Sequence, residues 1–411
     1  MVSTKVSLDL DWWPVGQGLF ASGTLIPCKA TPISWIYDCG TTSKDGILNS
    51  AIDSYAYRQK LYRSKDIQLA ALSHFDKDHI SGFIRLIGRF HIRKLLLPYI
   101  PLWQRIIIAI EQGISAEDSI FDFFLDPVTF LTRIEGGAIG EVIFVVGTGP
   151  GDVPTSPFED PDVGRRGLDD GGLFSEDGTA PPESDEDPAT NRNPATRVTF
   201  LRKGGRLIVP YLWEFVPCND VNLAPKATPA FLSAVIPLID TLRNIPDQRT
   251  TALEKIKKLY ANHFGTSSAA KNLISLFLYS GPLGQKTTIN CYHTSREIGR
   301  FRRIKRFAQM HTGDGTLDNG PRYDAFSHFY GPANRLAQSG IFQVMHHGSI
   351  NNWHSGIAAK VRPTVSLFSS DPYHKKYGHP HAEVLRDFWP YNPIRVDKSN
   401  GFHFHAELAF R

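Results

Sequence analysis

Sulfur is scarce in this chain of 411 residues, which has four cysteines and three methionines. Cys28, Cys39, Cys218 and Cys291 stand far apart, with no Cys-x-x-Cys pair. That excludes a disulfide framework and a cysteine zinc knuckle. A reducing, cytoplasmic setting is expected. No run of about 18 apolar residues occurs, so no membrane span is expected. The stretch from Met1 to Leu10 lacks the apolar core of a signal peptide. Net charge is also small, at +4, but the balance hides a split. Residues 150–190 hold twelve Asp or Glu against only Arg165 and Arg166, a local −10, which leaves +14 for the rest. A basic body suits an anionic substrate. The acidic stretch is either a shield competing for that substrate's site or a solvated loop.

What the chain does have is enough apolar residue, 41%, for a large core, and one crowded polar turn. The apolar run Leu69 to Leu72 stops abruptly, and six of the next seven residues are polar or charged. An apolar pattern with helical spacing resumes from Ile80 to Ile87. This predicts a buried strand, a short loop and a helix behind it. The loop carries His74, Asp76, Asp78 and His79. Without a cation, neighbouring carboxylates there would repel each other and lose hydration for nothing. Imidazole and carboxylate together suit zinc, and a richer share of carboxylate favours manganese.

Residues 5–20 are predicted to give a strand followed by the segment Trp12 to Gly18, and further strands are predicted at 33–40, 67–73, 91–98, 141–146 and 272–279. Helical or mixed segments are predicted at 45–63, 106–111 and 116–131, which argues α/β layering. From Gly149 to Pro194 Gly, Pro, Ser and acidic residues dominate, and a disordered or weakly ordered loop is expected. Arg197 to Val209, centred on Lys203-Gly204-Gly205, reads as a β-hairpin. Residues 210–268 read as a helical insertion, a lid or a protein-partner surface. Residues 296–307 hold six basic residues interleaved with Phe301 and Phe307. They suit either a nucleic-acid groove or a surface turn entering a strand.

His74-Phe75-Asp76-Lys77-Asp78-His79 resembles the first motif of the metallo-β-lactamase superfamily, His-x-His-x-Asp-His, with aspartate in place of the second histidine. Later stretches resemble its ComEC-like, DNA-uptake branch in the order that branch shows. They are Asn272 with Ser275, Thr312-Gly313-Asp314, His346-His347-Gly348-Ser349, Pro363 to Ser366, and Gly378-His379-Pro380-His381. Val15 to Gly18 and the strand ending Asp38-Cys39-Gly40 resemble its opening. The match does not cover residues 150–268, and covers 316–340 poorly.

The resemblance implies an αββα four-layer sandwich. Its first half would be residues 1–148, an acidic insertion 149–195, a hairpin plus helical insertion 196–268, and its second half 269–411. It implies two divalent ions, zinc or manganese, held by His74, Asp76, Asp78, His79, Asp314 and His346. His74 and Asp76 would serve one ion, Asp78 and His79 the other, and Asp314 would bridge them. One position is expected to be weak, because Asp76 replaces a histidine and no further histidine stands in a recognisable context. Catalytic roles fall to Asp78, His346 and His379. Substrate contacts fall to His347, Ser349, His379, His381, Arg302 and Arg303. His347 either bonds a neighbour or touches substrate, and His381 is either a supporting or a purely structural residue. His311 is favoured as a strand residue over a ligand. The implied function is a metal-dependent phosphodiesterase or nuclease acting on DNA or RNA through a metal-activated water. The alternatives are hydrolysis of a thioester, lactone or lactam on the same fold, or a non-catalytic binding protein with a decayed site.

Overall fold

The structure is a computed structural model that describes residues 4–28, 30–149, 151–154, 172–181, 196–221, 227–265, 275–283, 287–295 and 305–410. In chain order the strands are β1 Thr4–Trp12, β2 Gly18–Pro27, β3 Ile33–Thr41, β4 Asp66–Ala71, β5 His91–Pro98 and β6 Ala138–Val145. Next come β7 Phe174–Ser175, β8 Asp177–Gly178, β9 Arg197–Leu201, β10 Leu207–Val209, β11 Trp213–Asp220 and β12 Ser275–Pro282. The last are β13 Thr288–Thr294, β14 Ala308–His311, β15 Ser339–Gln343, β16 Val365–Ser369, β17 Pro393–Val396 and β18 Phe402–Phe410. One sheet has the order β13-β18-β1-β2-β3-β4-β5-β6-β9-β8, the other β17-β16-β15-β14-β12-β11-β10-β7.

The strands follow from their patterning. In β4, Ile67 and Ala70 pack towards helices while Leu69 and Ala71 pack towards the second sheet. A strand buried on both faces reads as a continuous apolar run, as this one does. Between the sheets lies a core that includes Trp12, Trp35, Trp213 and Phe215. Helices Asp45–Leu61, Leu102–Glu111, Pro229–Asn244 and Arg249–Phe264 cover the first sheet, and helices Gly320–Tyr330, Ile357–Val361 and Ala382–Phe388 cover the second. This is the expected αββα layering.

Strands β3, β4 and β5 run parallel, as do β14, β15 and β16. The loops leaving β3 and β4 and those leaving β14, β15 and β16 therefore collect at carboxyl ends, where open α/β sheets place ligands. The His74–His79 turn follows β4, and Thr312-Gly313-Asp314, His346 to Ser349 and Gly378 to His381 follow β14, β15 and β16, whereas Val15 to Gly18 leads into β2, Asp38 and Gly40 lie within β3, Ser275 opens β12 and Pro363 to Ser366 enters β16.

Three expectations are corrected. Arg197 to Val209 is not a hairpin: β9 pairs with β6 and β8, β10 pairs with β11 and β7, and Lys203-Gly204-Gly205 carries the chain from one sheet to the other. Residues 210–268 are not wholly helical, because β11 is a full strand paired with β12 along eight residues. The boundary expected at 269 thus falls between two neighbours in one sheet. Part of the acidic stretch also adds strands to both sheets, at β7 and β8. Two of its described carboxylates pair with the chain's own arginines: Glu176 lies 2.8 Å from Arg202, and Asp177 pairs with Arg197. Among the described residues no helix is long and apolar enough to cross a membrane.

A ring of imidazoles and carboxylates as candidate metal centre

Strand β4 ends at Ala71, Leu72 and Ser73 follow it, and the chain then turns at His74. Asp76 precedes a single helical turn, Lys77–Ile80, so Asp78 and His79 sit in that turn rather than in a loop. The backbone of this turn lies against β3. A Cβ on Gly40 would stand 2.4 Å from the His79 amide nitrogen, so only glycine permits the approach. The second sheet supplies Asp314 just after β14, and His346 and His347 just after β15. His346, His347 and Gly348 all have positive φ, at 43°, 56° and 85°. Two consecutive non-glycine residues in this region cost on the order of 1–3 kcal/mol each, and such outliers cluster at functional sites.

The side chains from the two sheets converge on Asp314, which is almost wholly buried. Its Oδ1 lies 3.3 Å from His79 Nε2 and 3.5 Å from His347 Nε2. Its Oδ2 lies 3.5 Å from His74 Nε2 and 3.3 Å from His346 Nε2. Asp78 flanks the first pair, with Oδ2 3.2 Å from His347 Nε2. Asp76 flanks the second, 4.0 Å from His74 Nε2. The ligating atoms of Asp78, His79, Asp314 and His347 all lie within 4.8 Å of one another, as do those of His74, Asp76 and Asp78.

The far side of each ring fixes its tautomer. Asp38 accepts from the Ser73 amide at 2.7 Å, the Ser73 hydroxyl at 2.7 Å and His79 Nδ1 at 2.7 Å. Because that hydroxyl donates to Asp38, His74 Nδ1 donates to it in turn, at 2.8 Å. His347 Nδ1 donates to the Ser369 carbonyl at 2.5 Å. With Nδ1 protonated in all three rings, each Nε2 of the neutral ring turns a lone pair inward. His74 Nε2 and His79 Nε2 are buried and have no hydrogen-bond partner. Lone pairs facing carboxylate oxygens repel unless a proton or a cation lies between. Oriented imidazoles, each backed by a carboxylate, hydroxyl or carbonyl, and a shared aspartate form a donor set that fits divalent metal.

The electrostatics agree. Burial alone would raise the Asp314 carboxyl, but the His346, His79, His347 and His74 rings hold it well below the usual carboxylate range. Burial works against charge on His79, yet Asp38, Asp314 and Asp78 outweigh it and raise its pKa. Asp76 is pushed up to about 6, chiefly by burial and against the pull of His74. Asp78 goes the other way, to about 2, because His79 and His347 overcome its burial.

The remaining sequence candidates are placed as follows. His379 stands at the rim, with its ring centroid 5.7 Å from His346 and 6.3 Å from His347. His381 accepts from the Ile350 amide at 3.3 Å and donates its own amide to the Gly348 carbonyl at 3.0 Å, bracing the histidine turn. The Ser349 hydroxyl is turned into its own loop, where it accepts from the Asn351 amide at 3.3 Å. Arg302, Arg303 and Asn272 lie outside the described residues. His311 is in β14, stacked on Trp12 and Tyr37 with centroids 5.7 and 4.5 Å away, and does not join the ring. His347, expected to bond a neighbour or substrate, joins the ring with His346. In the sequence Asp38 stands out only as a strand end. A carboxylate at φ 55° with no exposed surface is its structural signature.

In front of the ring is a cleft of about 630 Å³. Asp76 and Asp78 open into it, and Gln112 from the end of helix Leu102–Glu111 reaches across to donate to Asp76 Oδ1 at 2.8 Å and to the Phe75 carbonyl at 3.1 Å.

No protein-family model matches the chain, and no curated protein matches it. Among solved structures, the crystal structure of the metallo-beta-lactamase fold protein YhfI from Bacillus subtilis is similar, with TM-score 0.36 and 10% identity over 98% of this chain and 99% of that one. The chemistry is therefore read from this chain's own side chains.

Proposed function

We propose that this protein is a dinuclear metal-dependent hydrolase of phosphodiesters, on a metallo-β-lactamase-type sandwich of the ComEC-like branch. The observation that carries the reading is the division of Asp314: each of its two oxygens faces two imidazole Nε2 atoms, and each group has its own further aspartate. His79, His347 and Asp78 would hold one ion, and His74, His346 and Asp76 the other. The late histidine pair thus supplies one ring to each group, which offsets the histidine missing at Asp76 and makes two comparable positions. Bound there, divalent cations would polarise the phosphoryl oxygens and acidify water between them.

The chain's own contribution is placement. Asp38, Ser73 and the Ser369 carbonyl hold three rings in one tautomer, so no reorganisation is needed when charge develops. Asp78 orients whatever enters between the ring and the cleft. His379 is driven down to about 3 by burial and by the neighbouring His347, His346 and His381 rings. It is therefore neutral at pH 7, and one N–H of it is free to donate to a phosphoryl oxygen at the rim. DNA and RNA are the polymeric candidates, supported by the basic and aromatic segment 296–307, most of which lies outside the described residues.

The test is turnover by protein stripped with chelator and reloaded with zinc or manganese. Bis-p-nitrophenyl phosphate should be hydrolysed only after reloading, with two ions retained per chain. Cleavage of a chromogenic lactam or thioester without any phosphodiester turnover would overturn the proposal.

A further inference from the structure

The cleft has two unlike walls. The wall next to the ring carries the charged groups Asp76, Lys77 and Asp78 beside Phe75, Ile80 and Ile84, and Lys376 also lines the cleft. The facing wall, built by helices Leu102–Glu111 and Arg249–Phe264 and the segments near them, presents Trp103, Ile107, Ile108, Ile114, Phe124 and Tyr260. Trp103, Ile108 and Ile114 are only half-buried, so these apolar atoms face the open space. The volume falls in the range of small-molecule sites, which bury most of a ligand against hydrophobic walls. A groove for a nucleic-acid strand would carry cations along its length to neutralise successive phosphates. Among the described residues the lining holds two cations, Lys77 and Lys376, and the one charged residue of the helical wall is Glu111.

We propose that the substrate is a phosphodiester with one long alkyl alcohol. This inference rests on the hydrolase reading above. The diester anion lies at the Asp76–Asp78 turn near Lys77 and Lys376, and the apolar substituent lies along Trp103, Ile108 and Tyr260. In the reaction the oxygen of water bonds to phosphorus and one ester P–O bond breaks. The departing oxygen takes a proton that came from that water and leaves as the alcohol. A phosphomonoester remains, and nothing is oxidised or reduced.

The experiment uses the full chain loaded with zinc or manganese and a series of p-nitrophenyl phosphodiesters. Their second alcohol is methanol, butanol or octanol, or the 5′-hydroxyl of thymidine. Each fully buried methylene is worth up to roughly fourfold. A partly open wall is expected to raise kcat/KM at least about tenfold from methyl to octyl, with the thymidine ester below octyl. Ile108→Asp is expected to reduce the octyl-to-methyl ratio at least about fivefold. The wild-type series stands alone if that variant does not fold. A ratio near one with the methyl ester turned over overturns this inference and leaves the hydrolase reading in place. Preference for the thymidine ester overturns it in favour of a nucleoside site. No turnover of any ester by protein holding two ions overturns the hydrolase reading itself.

Discussion

At the scale of single residues, the decisive groups are those that aim others. Asp38 touches no cleft, yet it accepts from Ser73 twice and from His79 once, and so fixes the direction of two ring nitrogens. Partners of this kind are typically worth 10–100-fold in metal affinity. Asp38→Asn is expected to weaken binding by about that much in a competition titration with a chromogenic chelator. An unchanged affinity would mean that Asp38 only closes the strand end. His311 makes the opposite case. Burial between Trp12 and Tyr37 drives it down to about 3, whereas an unfolded histidine titrates near 6.5. Between those values the unfolded chain binds the extra proton, so stability rises with pH across that window and is complete above it. His311→Phe should flatten this acid limb. Between pH 7 and 4.5 the parent should lose on the order of 2–3 kcal/mol more stability than the variant, readable by urea unfolding of the two metal-free proteins at those pH values. Parallel limbs would sink the assignment. The crowding of His74, Asp76, Asp78 and His79 on one turn is legible in the sequence itself, whereas Asp314, which the structure brings beside them, is marked there only by the family resemblance. The partition of His346 and His347, and the aim of Asp38, depend on φ angles and tautomers that spacing does not encode.

At the scale of elements, one contact couples the cleft wall to the ring. Gln112 follows helix Leu102–Glu111 and donates to Asp76 Oδ1 and the Phe75 carbonyl. Without it Asp76, about a quarter exposed, would have greater freedom to swing into the cleft. Gln112→Glu should be worse than Gln112→Ala, since it sets a second carboxylate against Asp76. The expected result is loss of one of two retained ions, measured by metal analysis after dialysis, with the other kept. Loss of both or of neither would show that the helix does not act through Asp76. Elements with a strong period were legible: β3, β4, β5 and β6 all stand where apolar runs predict them. The failures share a physical cause. Lys203-Gly204-Gly205 satisfies the turn chemistry of a hairpin, but the same glycines also allow a crossing between stacked sheets. Only long-range pairing, with β6 on one side and β11 on the other, separates the two. β11 was absorbed into a helical segment because Pro217 and Cys218 interrupt its β-branched and aromatic residues, and the neighbours that bury it lie at Ser275–Pro282, far along the chain.

At the scale of the whole molecule, the ring joins two sheets that otherwise meet through an apolar core and a few polar ties. Tyr37 of the first sheet donates to the Leu276 carbonyl of the second at 2.6 Å, the Leu276 amide donates to Ser73 at 2.8 Å, and Ser369 donates to Gly18 at 2.7 Å. All three ties cluster around the ring. His74, Asp76, Asp78 and His79 follow a strand of one sheet, while Asp314, His346 and His347 follow strands of the other. Cations held as proposed would act as a clamp present only in the folded chain. A ligand that binds only the folded state stabilises it by about 2.7 kcal/mol at a hundredfold excess over its Kd. Two such ions should therefore raise the melting temperature by several degrees over chelator-treated protein. Asp314→Ala removes the group both positions share, so it should abolish this metal-dependent rise together with turnover, while the metal-free variant keeps the far-UV circular dichroism of the metal-free parent. If the variant still melted higher with added zinc or manganese, the ions would be held by one sheet alone, and the reading of Asp314 as the bridge between the two would fail.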